Sequence, residues 1–374
     1  MPLSIHGTNG ITFNDGSTQN TRPAVGFRNR IINGDMRIDQ RNAGGSITPT
    51  TDSTYTVDRW CARLTQASKF SIAQNAGSVT PPSGFSKYIG ATSLSSYSVG
   101  TGDYFGIEQR IEGQNIEDLA WGTAGAKSIT LSFWVRSSLT GTFGGAFNNG
   151  GATARSYPFS YTISSANTWE QKTVSIAGDT SGTWITTNGL GLQIIFGLGV
   201  GTTYSGTAGS WSSGNAAIGG YVSVAGATSV VGTNGATFYI TGVQFELGST
   251  ATDFERRPIG TELALCQRYL PAFNSNGTSA VIAPAYCYLT TAAACQLPFQ
   301  VQARTAPTGI SVSSGSHFSF QAVNSFVASA ATFDVATLNC ASIIFTISGA
   351  TTGHGGRIIF NNSSGQILFT GCEL

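Results

Sequence analysis

The sequence predicts an all-β protein: a jelly-roll-like β-sandwich, a short connector helix, then a second, C-terminal β-sandwich domain. Three observations carry this. Apolar and polar residues alternate in segments such as Ser128-Ile129-Thr130-Leu131-Ser132-Phe133, the period of a half-buried strand. The chain holds 48 glycines and is crowded with Ser and Thr, the composition of many turns between β-branched and aromatic strands. Beyond a short turn expected between Gln109 and Ala120, only the segment around 259–270 spaces its apolar residues as a helix does.

A chain of 374 residues fits two or three domains. Charged residues are 10% of it, and the net charge is +1. A usual value is about 25%. A nucleic-acid partner needs a basic face, which is absent here. No polybasic membrane patch or disordered acidic tail is present either. No apolar run is long enough to cross a bilayer, so no membrane insertion is expected. Met1-Pro2-Leu3-Ser4-Ile5-His6 lacks the basic and apolar regions of a secretory signal, so synthesis and folding are expected in the cytosol. The six cysteines (Cys61, Cys266, Cys287, Cys295, Cys340, Cys372) contain no CxxC. They read as small buried hydrophobes in a reducing compartment.

Residues 1–30 read as an entry segment. Ile11-Thr12-Phe13 alternates, and Asn14-Asp15-Gly16 is a tight-turn signal. So short a hairpin cannot bury its own apolar face; Ile11 and Phe13 are therefore candidate contacts to a partner or to other copies. Residues 31–256 hold successive strands, among them 128–136, 169–176, 191–198 and 236–247. Residues 257–272 contain the helix, with Thr261 as its candidate cap, and form the domain boundary. Residues 273–374 are β again, with strands expected at 281–290, 293–302, 316–323, 341–348, 356–361 and 366–370. That segment has only four charged residues (Arg304, Asp334, Arg357, Glu373) and no Trp. A nearly uncharged β domain must hide surface, most simply against copies of itself.

Nothing in the sequence assembles a cofactor site. No phosphate loop occurs, and Gly189-Leu190-Gly191 lacks the helix that a nucleotide loop needs. No nucleophile elbow precedes a helix. The carboxylate pairs Asp103 with Glu108 and Glu246 with Glu255 are the arrangement a glycosidase would need, but salt bridging to arginines is the plainer reading. Asp35, Asp39 and Asp58 lie among Arg37, Arg41 and Arg59, which favours ion pairing over a cation site. No catalytic, cofactor-binding or metal-ligating residue is therefore assigned. His354 lies in the glycine-rich loop 349–356, a place for ligand contact rather than for a catalytic base held in register. Trp184 and Trp211, in Gly/Ser/Thr-rich loops, are candidate stacking platforms for a sugar; plugging a core edge is their plainer role.

Several motifs, in order, resemble a known group. Ile11-Thr12-Phe13-Asn14-Asp15-Gly16-Ser17-Thr18-Gln19 is similar to an "ITFPDGTxQ" element of phage tail fibres, with Asn14 in place of the usual Pro. Asn33-Gly34-Asp35-Met36 with Asp58-Arg59-Trp60 resembles the opening of a phage tail β-sandwich module. Phe245-Glu246-Leu247-Gly248 and Thr252-Asp253-Phe254-Glu255-Arg256-Arg257-Pro258 resemble its close. Glu262-Leu263-Ala264-Leu265-Cys266-Gln267-Arg268-Tyr269 resembles the helix that follows, with Leu270 in place of a second Tyr. Phe299 and Arg304-Thr305-Ala306-Pro307-Thr308 are similar to the start of the distal domain. The resemblance covers roughly 10–310. It implies a tail-fibre or receptor-binding protein of a tailed bacteriophage, with a sandwich akin to carbohydrate-binding modules, a homotrimer and a variable receptor-binding tip; it carries over no catalytic residue.

On this reading residues 1–30 dock on tail or baseplate proteins, and the helix, through Leu263 and Tyr269, sets the register of the trimer. Loops of 273–374 touch polysaccharide or lipopolysaccharide of the bacterial surface, with His354, Asn274, Asn276 and Asn361 as contacts. The protein is expected in the virion, without enzymatic activity. A polysaccharide depolymerase and a purely structural virion component are the alternatives.

Overall fold

The computed structural model describes residues 27–213 and 220–374, and before them the backbone of three short strands, β1 (Ser4–His6), β2 (Gly10–Thr12) and β3 (Thr18–Gln19). These three form an antiparallel sheet in chain order, with Ile11 opposite Ile5 and Gln19. Phe13 lies outside the described residues.

The sandwich is built from β4 (Thr54–Tyr55), β5 (Trp60–Leu64), β6 (Phe70–Gln74), β7 (Ile89–Ser93), β8 (Tyr104–Glu112), β9 (Ile129–Ser137), β10 (Gly141–Asn149), β11 (Ser156–Ile163), β12 (Glu170–Ile176), β13 (Leu190–Val200), β14 (Ser205–Gly206), β15 (Ser223–Val224) and β16 (Thr237–Leu247). One sheet runs β11-β10-β13-β8-β5-β4 and the other β12-β9-β16-β7-β6; β14 and β15 form a small parallel pair. Alternation decides which side chains meet. Phe133 of the five-stranded sheet reaches Phe196 of the six-stranded one, ring centroids 5.0 Å apart and edge to face. Phe143, Phe147, Phe159, Phe238 and Phe245 complete the same core. Each such ring contributes roughly 1.5–3 kcal/mol by burial. Its neighbour Trp134 points the other way and stays partly exposed.

The helix α1 (Ile259–Gln267) follows, then the distal unit. The latter comprises β17 (Ala272–Asn274), β18 (Val281–Leu289), β19 (Ala292–Pro298), β20 (Gly309–Val312), β21 (Phe318–Gln321), β22 (Ser325–Val327), β23 (Ala330–Ala336), β24 (Cys340–Thr346), β25 (Gly355–Phe360) and β26 (Gln366–Thr370). Seven strands form one sheet, β22-β21-β25-β18-β19-β24-β23. Its two edge strands are consecutive in the chain. Only Ala328 and Ser329 join them, and their N–H groups donate to Phe318 O and Thr346 O. The sheet must therefore curl almost shut around Phe318, Phe320, Ile343, Phe345 and Ile358. The small sheet β17-β26-β20 packs Phe273, Ile310, Ile367 and Phe369 onto the same core.

Residues of several motifs that carry the resemblance, Asn33, Asp58-Arg59-Trp60, Arg257, Glu262 and Arg268-Tyr269, converge at the junction of the two units. Asn33 O accepts from Trp60 Nε1 at 3.1 Å, and Asn33 Nδ2 donates to Ile38 O and Asp58 O. Arg257 donates to Ile31 O and to Asn29 O and pairs with Glu262, which accepts the Asn33 N–H. Arg268 and the Tyr269 hydroxyl both donate to Glu112. Arg59 lies 3.6 Å from the Tyr269 ring centre and pairs with Glu373. Gly34 has no room for a Cβ, which would stand 2.3 Å from Val243 O. Val243 is free to accept Asn29 Nδ2 and to donate to Gly34 O because β16 has a bulge between Thr241 and Gln244; Gly242, at φ +59°, makes that bulge possible.

Several expectations need correction. Residues 109–112 belong to β8, paired with both β5 and β13; only single 3₁₀ turns follow, at Gly113–Asn115 and Glu117–Leu119. The polar Gln109 and Glu112 mimicked a helical face, but each is buried through a specific acceptor or donor across the sheet or junction. Thr261 does not cap α1. Pro258 occupies the cap position, and no side chain bonds the helix start. Strands β17, β20, β22 and β23 lie outside the expected set: the first three are only three or four residues long, too short to show a period, and β23 is a half-exposed edge strand, although Phe273, Ile310, Phe326 and Phe333 still turn onto the core. The six cysteines, expected as small buried hydrophobes, are free; Cys340 alone of them is not fully buried.

Candidate functional site

The distal unit has a near end, facing the sandwich, and a far end. At the near end Phe299 N–H donates to Asn339 O, and Arg304 N–H to Arg268 O. At the far end lie the β18–β19 turn, the 322–324 turn and the 347–354 loop. Strand β25 runs between the two ends, so His354, before it, and Asn361, after it, are separated by roughly 20 Å at ~3.3 Å per residue.

This separation divides the four tip residues expected from sequence. Asn361 donates to Ser316 O at 2.9 Å. Asn276 sits in a turn whose ends are tied by Ser275 N–H to Gly365 O and Ser279 N–H to Phe360 O. Asn274, although exposed, donates through Nδ2 to Gln40 O at 3.1 Å and so ties the distal unit to the sandwich at the near end. Only His354 is at the far end, exposed on its loop.

There the structure adds neighbours that the sequence does not bring together. Register places Pro284 opposite Arg357, Tyr286 opposite Gly355, and Gln321 opposite Arg357. Tyr286, Arg357 and Gln321 thus share the outer face of the curled sheet. Tyr286 is 56% exposed. A Cβ on Gly355 would meet nothing within 4 Å, so the strand surface beside the tyrosine is open. A groove of about 770 Å³ runs along Gln321, Val323, Asn324, Gly355 and Arg357, with Val323, 88% exposed, at its lip. Arg357 Nε donates to Gln321 Oε1 at 2.8 Å; among the described contacts its two terminal nitrogens have no partner. An exposed ring beside amides and a guanidinium, on a glycine-lined surface, can stack on an apolar sugar face and bond its hydroxyls. The sequence signal was Tyr286 and Tyr288 at i, i+2, but only pairing register could set them beside Gly355 and Arg357.

Trp184 and Trp211 form one cluster with Trp121, with centroids 4.7–5.5 Å apart and edge-to-face geometry. Trp211 Nε1 donates to Ala177 O, and Trp184 Nε1 to Asp179, which Arg155 holds bidentately. Both rings pack against the sandwich core and plug its edge. Tyr269 is 1% exposed within the single chain, and Leu263 packs in the cluster of Ile32, Ile38 and Cys266. Tyr269 therefore has no surface to offer another copy.

The carboxylates of both pairs are engaged by other groups of the chain. Asp103 accepts from Tyr97, Gly100 N and Thr65, whereas Glu108 accepts from Arg63, Arg110 and Gln193. Glu246 holds Thr252 and Gln244, and Glu255 accepts the N–H groups of Arg28 and Asn29. Burial raises the Asp58 carboxyl to about 6 despite its bonds from Gln40. Glu112 is also penalised by burial, but bonds from Arg268 and Tyr269 outweigh this and hold it below the usual carboxylate range. Asp35 pairs with Arg37 at 2.6 Å, while Asp39 ties the Asn42–Gly44 turn and Asp58 holds Gln40. Among the described residues, no group of three or more His, Cys, Asp or Glu is gathered to hold a metal ion.

No family model matches the chain, and no curated protein matches it. Solved structures similar to it include the enzymatically active domain of bacteriophage CBA120 tailspike protein 4, at 12% identity over 54% of this chain and TM-score 0.30. The chain spans 22% of that tailspike's length. A family 11 carbohydrate-binding module of the Clostridium thermocellum cellulase Lic26A-Cel5E is similar at 12% identity, over 57% of this chain and all of the module, TM-score 0.28. TmCBM61, solved with β-1,4-galactotriose, is similar at 10% identity over 60% of this chain and all of its own, TM-score 0.28. The sandwich assignment rests on the chain's own two packed sheets.

Proposed function

We propose that the chain is a non-catalytic attachment protein of a tailed-bacteriophage virion. It binds bacterial cell-envelope glycan, polysaccharide or lipopolysaccharide, through the far end of its distal unit, as a homotrimer joined by residues 1–30 to the tail or baseplate. The observation that carries the reading is the far-end groove along Gln321, Val323 and Arg357, with exposed Tyr286 opposite its Gly355 and His354 on the loop that leads into it. The surface of the distal unit as a whole supports assembly. Of the four charged residues, Arg304 and Glu373 turn into the junction, which leaves Asp334 and Arg357 outside. Seven of the eleven exposed large hydrophobics among the described residues lie here: Val281, Tyr286, Leu289, Val323, Val327, Val335 and Leu338. Such a surface favours contact with copies of itself, and three weak sugar contacts then act together. The engagement of the buried carboxylates favours binding over hydrolysis.

The test is a pull-down of the purified chain on host envelopes, alongside its native mass by light scattering. A mass three times that of the chain and envelope binding, lowered on the order of tenfold by Tyr286→Ala or Arg357→Ala but not by Trp184→Phe, are expected. Binding that survives both tip substitutions overturns the site. No envelope binding favours a purely structural virion part, and falling polymer viscosity favours a depolymerase.

A further inference from the structure

A second cleft lies between the sandwich, α1 and the distal unit. It measures about 420 Å³ and is walled by Glu112, Gln114, Asn188, Arg268, Gln302 and Arg304. A smaller cleft of about 200 Å³ shares Ile32, Asn115 and Leu265 with it and extends it towards Arg30 and Arg257.

Its charge does not balance. Glu112 is consumed by Arg268, at 2.6 and 3.0 Å, and by the Tyr269 hydroxyl at 2.7 Å. Arg30 is matched by Asp118, and Arg257 by Glu262. Arg304 is different. Its three nitrogens donate only to main-chain oxygens, of Cys372, Asn188 and Glu373, at 2.6–2.9 Å. Among the described residues no carboxylate stands within ion-pairing distance of it. Three carbonyls fix the guanidinium in place without neutralising it, and two of its five N–H groups remain for a ligand. Around this fixed positive charge stand amides, each able to donate and accept. Gln114, Asn188 and Gln302 are exposed at the mouth.

We propose that this cleft binds an acidic sugar unit, with its carboxylate or phosphate held at Arg304 and its hydroxyls on the amides of Gln114, Asn188 and Gln302. The site stands apart from the far-end groove, at the opposite end of the distal unit, and does not depend on it. Fixed in a rigid junction, the guanidinium is already oriented for an anion, so little ordering is required on binding.

Isothermal titration of the full chain tests this with a galacturonic-acid trisaccharide, a galactose trisaccharide and glucose 6-phosphate. The acidic trisaccharide or the sugar phosphate should bind on the order of tenfold more tightly than the neutral trisaccharide, and the advantage should shrink as salt rises from about 0.05 to about 0.5 M. Whichever acidic probe binds identifies the anion. Asn188→Asp and Gln302→Glu, both at exposed positions, place a carboxylate beside Arg304 and should abolish the preference with the fold intact. Equal binding of acidic and neutral probes, no binding of either acidic probe, or a preference that survives both carboxylate substitutions overturns the proposal.

Discussion

Glu373→Gln probes the joint between the two units. Glu373 pairs with Arg41 and with Arg59, whose side chain is 1% exposed. Breaking a buried pair on one side costs roughly 3–5 kcal/mol, because the remaining charge loses its compensation. Two contacts survive for Arg59 here: its bond to Arg110 O at 2.6 Å and its stacking on Tyr269. Gln also keeps an acceptor, so a loss of about 2–3 kcal/mol is expected. The loss falls on docking, since Glu373 belongs to the distal unit and both arginines to the sandwich. Urea unfolding can locate it, because every Trp precedes the helix. Trp fluorescence thus follows the sandwich, and far-UV circular dichroism follows both units. In the unmodified chain the two signals should change together. In Glu373→Gln the circular dichroism should begin to fall at lower urea than the fluorescence. Coincident transitions with a midpoint stability unchanged within about 0.5 kcal/mol would refute the reasoning.

Other consequences follow from single sites. Asp58 is 1% exposed, and its folded pKa, about 6, lies above the ordinary 3.8. Its contribution to stability is fully present below pH 4 and is lost as pH rises through 6, by about 3 kcal/mol at ~1.4 kcal/mol per unit. Asp58→Asn should therefore gain on the unmodified chain between pH 4 and pH 7; a difference in unfolding free energy that is flat with pH would contradict this. Phe196→Ala empties the centre of the sandwich, where Phe133, Phe159 and Trp60 surround the ring. Thermal or urea unfolding should show a loss of about 3–5 kcal/mol. Gly34→Ala drives a methyl group into Val243 O and should cost on the order of 2 kcal/mol; an unchanged melting temperature would mean that the bulge can move aside.

What the sequence by itself determined is what nearest neighbours decide. Alternation over 128–136, the apolar run over 191–198 and the long β-rich stretch 236–247 located β9, β13 and β16 to within a few residues, because such local patterns are set by a strand's own side chains. The spacing of Leu263, Cys266 and Tyr269 located α1, and the scarcity of charge after residue 273 was read from composition. The tertiary structure alone decided which faces meet. Arg59 and Glu373 are 314 residues apart, and nothing local announces their pairing. Tyr286 and Arg357 become neighbours only through the register of β18 against β25, and one residue of slip would send either to the opposite face. The length of β25 parts His354 from Asn361, and Asn274, on β17, meets Gln40 only where the distal unit folds back on the sandwich. Composition could count the charges of the distal unit; only packing turned Arg304 and Glu373 inward and left its outer surface nearly neutral, because a charge's partner is fixed by where the chain folds back and not by what stands beside it in sequence.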